Sequence, residues 1–438
     1  MQAVILAAGE GKRCRPLTLT RPKPLLKVAN KPIIQHDLDA LSEAGIKEVI
    51  IVTGYLGEKI KSHFGERFKD IKITYVKQGN GYGTAHALLS ARDAVEKTFL
   101  VLNGDDIYFP EDIQRMAGEN PRVLVKEVND VSKFGEVAVK NGKLLRITEK
   151  PQGRKNGWAN TGCYVLTDEI FDVIKHLHKS ERGEYELTDA VNALASTIDM
   201  EVVEARVWQP VTYPWNLLDA NELLLNSTEN DARKNVEIEE NVTLKGKVII
   251  GENTRIRSGT YIEGPCIIGS NCDIGPNCYI RAYTAIGNNC RIGNAVEIKN
   301  SVIFDNSKIS HLSYVGDSVI GENCNLGAGT MVANLRHDRK AVSVLINGKL
   351  IDSDRRKLGV IMADGCKTGI HTSIKPGMVM GPFSWTSPHS YVDRNLEPFT
   401  LLAEKKKIRM EKRRIIPCID EPQRTDAEKL YERLETAV

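Results

Sequence analysis

The sequence predicts an α/β unit followed by a parallel β-helix, and two different periodicities carry that reading. In the first half, short apolar runs alternate with amphipathic stretches: AVILAA, QHDLDALSEAGI, EVIIVTG, YGTAHALLSARDAV and TFLVLNGDD. This order implies βαβ units and a largely parallel sheet covered by helices on both faces. From about residue 228 the rhythm changes. Ile238, Leu244, Ile250, Ile256, Ile262, Ile268, Ile274, Ile280, Ile286, Ile292 and Ile298 stand six apart without a slip. Neither a helix nor a two-sided strand generates a period of six. A hexapeptide repeat does: each flat side of a β-helix carries one inward aliphatic, and Gly and Asn sit at the turns, where positive φ is needed. The beat resumes at Ile320, Leu326 and Val332, breaks for a polar loop around 335–357, and continues less regularly to about 395. The predicted boundaries are therefore 1–228, 229–400 and a charged tail over 401–438.

The chain of 438 residues exceeds the size at which one hydrophobic core keeps growing. A net charge of +3 over 60 basic and 57 acidic side chains is too balanced for a nucleic-acid binder. AEKKKIRMEKRR at 403–414 is locally basic and reads as a solvated terminal helix, or as a contact for an anionic cofactor or partner. MQAVILAAGEGKR lacks a basic region before its short apolar run, and no stretch approaches a membrane span; a cytoplasmic protein without membrane partners is expected. Nine cysteines without a CxxC pair suggest reduced thiols. The spacing of six in Cys266, Cys272 and Cys278 is that of the repeat, which argues against a zinc site. The exposed surfaces of such a coil stack invite side-by-side assembly, and a homotrimer is the expected oligomer.

After the first strand comes LAAGEGKRCRPLT, residues 6–18. It is a tight strand-to-helix turn that also sets Lys12, Arg13 and Arg15 beside free backbone N–H groups, a cradle for polyphosphate. GEGKRC lacks the third Gly of GxGxxG, and no GxxxxGK[ST] is present. With RPKPLLKVANKP, QGNGYGTAHA, LNGDD, FGEV, EKP and ANTGCYV following in order, residues 1 to about 225 resemble the sugar-1-phosphate nucleotidylyltransferases. The resemblance implies a Rossmann-like domain joining a sugar 1-phosphate to a nucleoside triphosphate with release of pyrophosphate. It implies nucleotide contacts at Gly9, Gly11, Arg13, Gln78, Gly83 and Thr84, with Arg13 and Lys23 holding the triphosphate and the attacking phosphate. Gly135, Glu149 and Asn160 match the sugar-binding positions, and Asp105 and Asp219 the two ligands of Mg²⁺. Attack on the α-phosphorus concentrates negative charge, so cations and a divalent metal suit that chemistry. GTAHA is equally like thymidylyl- and uridylyltransferases, leaving UTP and dTTP both open. His86, inside THALLSA, reads as packing.

A β-helix that serves only as a scaffold should keep aliphatic or small residues where coils meet. This one carries Arg281, Glu297, Lys299, His311, Tyr314 and Asn334 on successive turns of YIRAYTAIG, AVEIKNS, SKISHLSYVG and LGAGTMVAN. These segments resemble the acetyltransferase half of bifunctional bacterial enzymes that acetylate glucosamine-1-phosphate and then form its UDP-sugar, which implies a left-handed β-helix and acetyl-CoA as co-substrate. Carried over, His311 is the general base for the sugar amine, a role suited to a pKa near neutrality. Arg281, Lys299 and Tyr314 would bind the sugar phosphate, Glu297 orient the amine, Asn334 hold the sugar, and backbone N–H groups near Ala328 face the thioester. The insertion at 333–359 departs from the expected loop: Arg336, Lys340, Arg355 and Arg356 are candidates for coenzyme A phosphates, or the segment is a solvated hairpin. The competing readings are a glucose-1-phosphate nucleotidylyltransferase with a mute β-helix, and a regulatory relative that binds without turnover.

Overall fold

A computed structural model describes residues 1–79, 82–153, 155–180, 183–228 and 235–403. Nearly all of the expected charged tail, with Cys418, lies outside the described residues. The chain forms two compact units, Met1–Lys12 with Arg21–Asn216, and Arg13–Thr20 with the chain from Leu217 onward.

The first unit is built on β1 (Gln2–Ala7), β2 (Glu48–Thr53), β3 (Arg67–Phe68), β4 (Ile71–Lys77), β5 (Thr98–Asn103), β6 (Asp106–Tyr108), β7 (Arg122–Val128), β8 (Gly135–Lys140), β9 (Lys143–Glu149), β10 (Gly157–Thr167), β11 (Glu201–Glu204) and β12 (Trp208–Pro210). Ten of these make one sheet in the order β8-β9-β11-β7-β10-β5-β1-β2-β4-β3, and β6 pairs with β12 apart from it. Its helices are α1 (Ile33–Glu43), α2 (Gly57–Phe64), α3 (Thr84–Ser90), α4 (Pro110–Met116), α5 (Glu169–Lys175) and α6 (Leu187–Ala195). Alternation along the strands sorts the side chains onto two faces. Ile5, Ile51 and Leu102 pack with Leu38, Ile60 and Ile113 of α1, α2 and α4. Val4, Val52 and Val101 pack with Leu88, Phe171 and Val191 of α3, α5 and α6. Helices thus cover both faces, as expected. The sheet, however, is mixed: β4, β2, β1 and β5 run parallel, while β10 is antiparallel to both β5 and β7. Apolar runs do not record strand direction.

The second unit begins with α7 (Asn216–Ser227) and continues as a prism with three parallel sheets of nine, eight and seven strands. Partners stand one coil apart, as in Ile256↔Ile274, Ile262↔Ile280 and Ile268↔Ile286, so the six-residue beat stacks aliphatics into one buried column for each side. Corners fall on Asn253, Asn271, Asn289, Asn306 and Asn323, all at φ between 55° and 60°. Cys272, Cys278, Cys290 and Cys366 are interior and donate to main-chain carbonyls, for example Cys272 to Gly287 O at 3.1 Å. The eight described cysteines are free thiols. At the open first coil the pattern loses its partner: Ile238 is 40% exposed. The break near 335–357 holds an antiparallel hairpin, Ser343–Ile346 with Lys349–Asp352, closed by Asn347-Gly348 at φ 48° and 75°. It is not a solvated hairpin, because Val342, Val344 and Ile346 are buried and Asn395 donates to Leu345 O at 2.9 Å. This is the left-handed β-helix that the repeat and the resemblance implied.

Two candidate active sites

In the first unit the site elements converge at the carboxyl ends of the parallel strands. Gly54 follows β2, and a Cβ there would stand 2.5 Å from Ala8 O; Gly104 follows β5, and a Cβ there would stand 2.8 Å from Ile5 Cγ2. The loop after β1 is thereby flanked by two turns where a side chain would collide with β1 or the residue that follows it. Within it Gly11 takes φ 62°, and Gly9 faces open space. Asp105, one residue past Gly104, has its carboxylate bonded by the buried ammonium of Lys23. Asp106 is buried, and its pKa is pushed up by burial first and by the Asp105 charge second. Two crowded carboxylates at a strand end are the donor chemistry of a hard cation, so Asp105 fits magnesium.

The expected sugar positions meet. Gly135 pairs with Glu149 across β8 and β9, and a Cβ on Gly135 would lie 3.3 Å from Glu149 Oε1 and 3.4 Å from Asn160 Cβ. A side chain at this position would therefore crowd Ile147, that carboxylate and Asn160. Asn160 sits where β10 bulges, with its Nδ2 2.6 Å from Tyr164 Oη. Gln78 donates to Gly83 O at 3.3 Å, and Thr84 Oγ1 accepts from Leu187 N at 3.0 Å. Gly83 has a structural reason of its own: at φ 107°, a Cβ would stand 2.3 Å from Tyr185 O. Arg13 is exposed and is grouped with the second unit, as is Asp219. The carboxylate of Asp219 is bonded by the Arg355 guanidinium. His86 has a buried Nδ1 without a hydrogen-bond partner, beside Gly79.

On the prism, the register brings three expected residues onto one face: Glu297 stands opposite Tyr314, and Lys299 opposite Gly316. Arg281 bonds Glu297 at 2.9 Å and lies over the Tyr279 ring at 5.5 Å. Asn334 Nδ2 reaches Tyr314 Oη at 3.1 Å. The sequence reading missed the group that ties them together. Asp317, 2% exposed, accepts from Lys299 at 3.1 Å, Asn300 at 2.8 Å and Asn334 at 2.6 Å. It also missed Gly316, where a Cβ would stand 2.4 Å from Tyr314 Oη and 2.6 Å from Asn334 Nδ2. Burial, ahead of the Asp317 and Glu297 charges, raises the Tyr314 pKa, so the phenol keeps its proton and can donate. His311 ends the strand Lys308–His311, one residue before the corner at Leu312, and is exposed, with no hydrogen bond to its imidazole among the described residues. Gly329 N donates to His311 O at 3.3 Å, which puts Ala328 on the adjoining coil beside the imidazole-bearing residue. One signal for Asp317 was available: it directly follows SKISHLSYVG, at a corner where Asn300 precedes it one coil earlier.

An α/β sheet with a cation-ready strand end, joined in one chain to a β-helix bearing an ionised polar face, defines a two-site transferase. The nucleotidyl transferase family matches residues 2–227, and the GMPPB C-terminal domain matches residues 262–380. The bifunctional protein GlmU of Methanocaldococcus jannaschii is 42% identical over 407 residues, covering 92% of this chain and 98% of that one. The GlmU of Methanococcus maripaludis strain C7 is 44% identical, covering 94% and 100%. The bifunctional sugar-1-phosphate nucleotidylyltransferase/acetyltransferase of Sulfurisphaera tokodaii is 40% identical, covering 90% and 98%. The chain belongs to the nucleotidyl transferase family, in its bifunctional branch of sugar-1-phosphate nucleotidylyltransferase/acetyltransferases.

Proposed function

We propose that the chain N-acetylates glucosamine-1-phosphate, or another amino-sugar 1-phosphate, on the β-helix, and couples a sugar 1-phosphate to UTP or dTTP in the α/β unit. The observation that carries the reading is the ionised face around Asp317, which an inert scaffold has no use for. A mute β-helix leaves it unexplained.

In the acetyl reaction His311 takes the proton from the sugar amine at an imidazole nitrogen as the amine attacks the thioester of acetyl-CoA. The amide C–N bond forms, the C–S bond breaks, and coenzyme A leaves as the thiol. Arg281, Lys299 and Tyr314 grip the phosphate, Glu297 orients the amine, Asn334 holds the sugar and backbone near Ala328 meets the thioester. In the nucleotidyl reaction Gly9, Gly11 and Arg13 cradle the triphosphate while Gln78, Gly83 and Thr84 line the base. Lys23 steers the attacking phosphate, and Gly135, Glu149 and Asn160 hold the sugar. Magnesium at Asp105 would neutralise charge on the phosphates. Asp219, matched by the resemblance to the second ligand, bonds Arg355 in this structure.

A homotrimer built on the prism is the oligomer we expect. Tyr261, Tyr279, Met331 and Tyr391, 36% to 59% exposed, stand in one outward column with Glu297, Tyr314 and Ser373, and coverage by another copy would bury these large side chains beside the acetyl site. Among the described residues no helix is long and apolar enough to cross a membrane. A cytoplasmic location fits the free buried thiols. The experiment is a product assay with glucosamine-1-phosphate, acetyl-CoA, Mg²⁺ and each nucleoside triphosphate in turn. Acetyl transfer and pyrophosphate release in one preparation support the reading; pyrophosphate release from glucose-1-phosphate alone, without thioester consumption, supports the mute β-helix.

A further inference from the structure

The insertion at 333–359 returns to the acetyl site. Leu358 N donates to Asn334 O at 2.9 Å and Gly359 N to Asp317 O at 2.8 Å, which stitches the end of the insertion to two residues of the ionised face. Arg355, Arg356 and Lys357 of that segment, with Asp317, line an open cavity of about 390 Å³. Asp317 is already met by Lys299 and Arg355 by Asp219, so Arg356 and Lys357 give the cavity its net positive charge. The main chain of Arg355 is fixed, since Val342 N donates to its carbonyl at 2.9 Å. Its guanidinium is fixed by Asp219, and its Nε is buried without an acceptor. Asp219 is itself placed by its helix: two residues on, the fully buried Asn221 donates to Tyr283 O at 2.8 Å, seating α7 against the prism. A planar, always charged group held by a carboxylate on one edge, with a donor unused, is prepared to take an anionic oxygen.

We propose that Asp219 is a positioning residue of the acetyl site, holding Arg355 in place so that Arg355, Arg356 and Lys357 receive a phosphoryl dianion. This rests on the reading that the prism transfers acetyl groups to a phosphorylated sugar. The dianion has two sources of the same chemistry, the 1-phosphate of the amino sugar and the 3′-phosphate of coenzyme A.

The test is steady-state acetylation by the full chain carrying Asp219→Asn, Asp219→Glu, Arg355→Gln and the Asn/Gln double substitution, with folding checked by thermal melting. Loss of one charge-assisted contact raises the KM of one substrate about tenfold while kcat stays within about twofold. Asp219→Glu recovers part of the loss, and the double variant is no worse than Arg355→Gln. A raised KM for glucosamine-1-phosphate assigns the cavity to the sugar phosphate. A raised KM for acetyl-CoA, absent with acetyl-dephospho-CoA, assigns it to the cofactor. Unchanged KM for both substrates in Arg355→Gln overturns the proposal, as does an Asp219→Asn defect confined to the Mg²⁺ dependence of nucleotidyl transfer. If the unaltered chain does not acetylate at all, the parent reading fails. Calorimetric titration of glucosamine-1-phosphate and acetyl-CoA into unaltered and Arg355→Gln protein then decides the cavity separately, with equal affinities counting against it.

Discussion

Lys299 and Asp317 stand on adjacent coils of the prism with Nζ 3.1 Å from Oδ2, and the same carboxylate also takes Asn300 and Asn334. A group with 3% side-chain exposure that collects three donors fixes the face on which a phosphorylated sugar would lie. Replacing it as Asp317→Asn removes the charge but keeps the shape. The Lys299 ammonium is then left partly buried without its counter-ion, which costs about 2 kcal/mol of stability. The expected outcome is a lower melting temperature together with a raised KM for the amino-sugar phosphate, measured by thermal melting and a thioester assay.

Gly316→Ala should damage the acetyl reaction with little harm to nucleotidyl transfer. The added Cβ would stand 2.4 Å from Tyr314 Oη and 2.6 Å from Asn334 Nδ2, so phenol and amide must both move. Displacement of two substrate-holding groups by about an ångström lowers acetylation on the order of a hundredfold. Parallel rate measurements of the two half-reactions check it.

Gly135→Val crowds Glu149 and Asn160. Ala would already bring a Cβ to 3.0 Å from Ile147 Cγ2 and 3.3 Å from Glu149 Oε1, and Val adds two more methyl groups to that crowded position. The KM for the sugar 1-phosphate in pyrophosphate release should rise at least about tenfold, with acetylation retained.

Acid should weaken the first unit through His36 on α1. Burial is the main reason that its pKa is lowered to about 4, and its Nε2 meets Val28 O at 2.9 Å. The unfolded chain takes up this proton near pH 6.5 and the folded chain only near pH 4, so stability is full above pH 6.5 and falls as pH drops through that window. For this partly exposed ring the loss is roughly 2 kcal/mol. Thermal melts from pH 7 to 4 should show a shallower decline for His36→Gln than for the unaltered chain.

Much of this was legible because a β-helix repeats one environment: Ile256, Ile274 and Ile292 occupy equivalent interior positions, so a single rule read eleven times locates the first coils of the prism. The polar face was legible only through its departures from that rule, which is why Arg281, Glu297, Lys299 and Tyr314 stood out and Asp317 did not. An acidic residue at a corner resembles any turn residue until the register shows Lys299 beside it. Strand direction in the α/β unit was not legible, since Val101 and Val165 have the same pattern although their strands run oppositely. The alternation of VSVLINGKLI around Asn347-Gly348 did announce a packed hairpin, and its charged flanks obscured it. The role of Gly83 was hidden for another reason: its neighbour, Tyr185, is about a hundred residues away in sequence.

The central claim is that one chain holds two chemically independent sites, and the most direct measurement is the crossed assay of His311→Ala and Asp105→Ala on the two half-reactions. General-base removal should lower acetylation by about a hundredfold or more while pyrophosphate release continues, and loss of the Asp105 carboxylate should do the reverse. Equal loss of both activities in either folded variant, or undiminished acetylation without the imidazole at 311, would contradict the account.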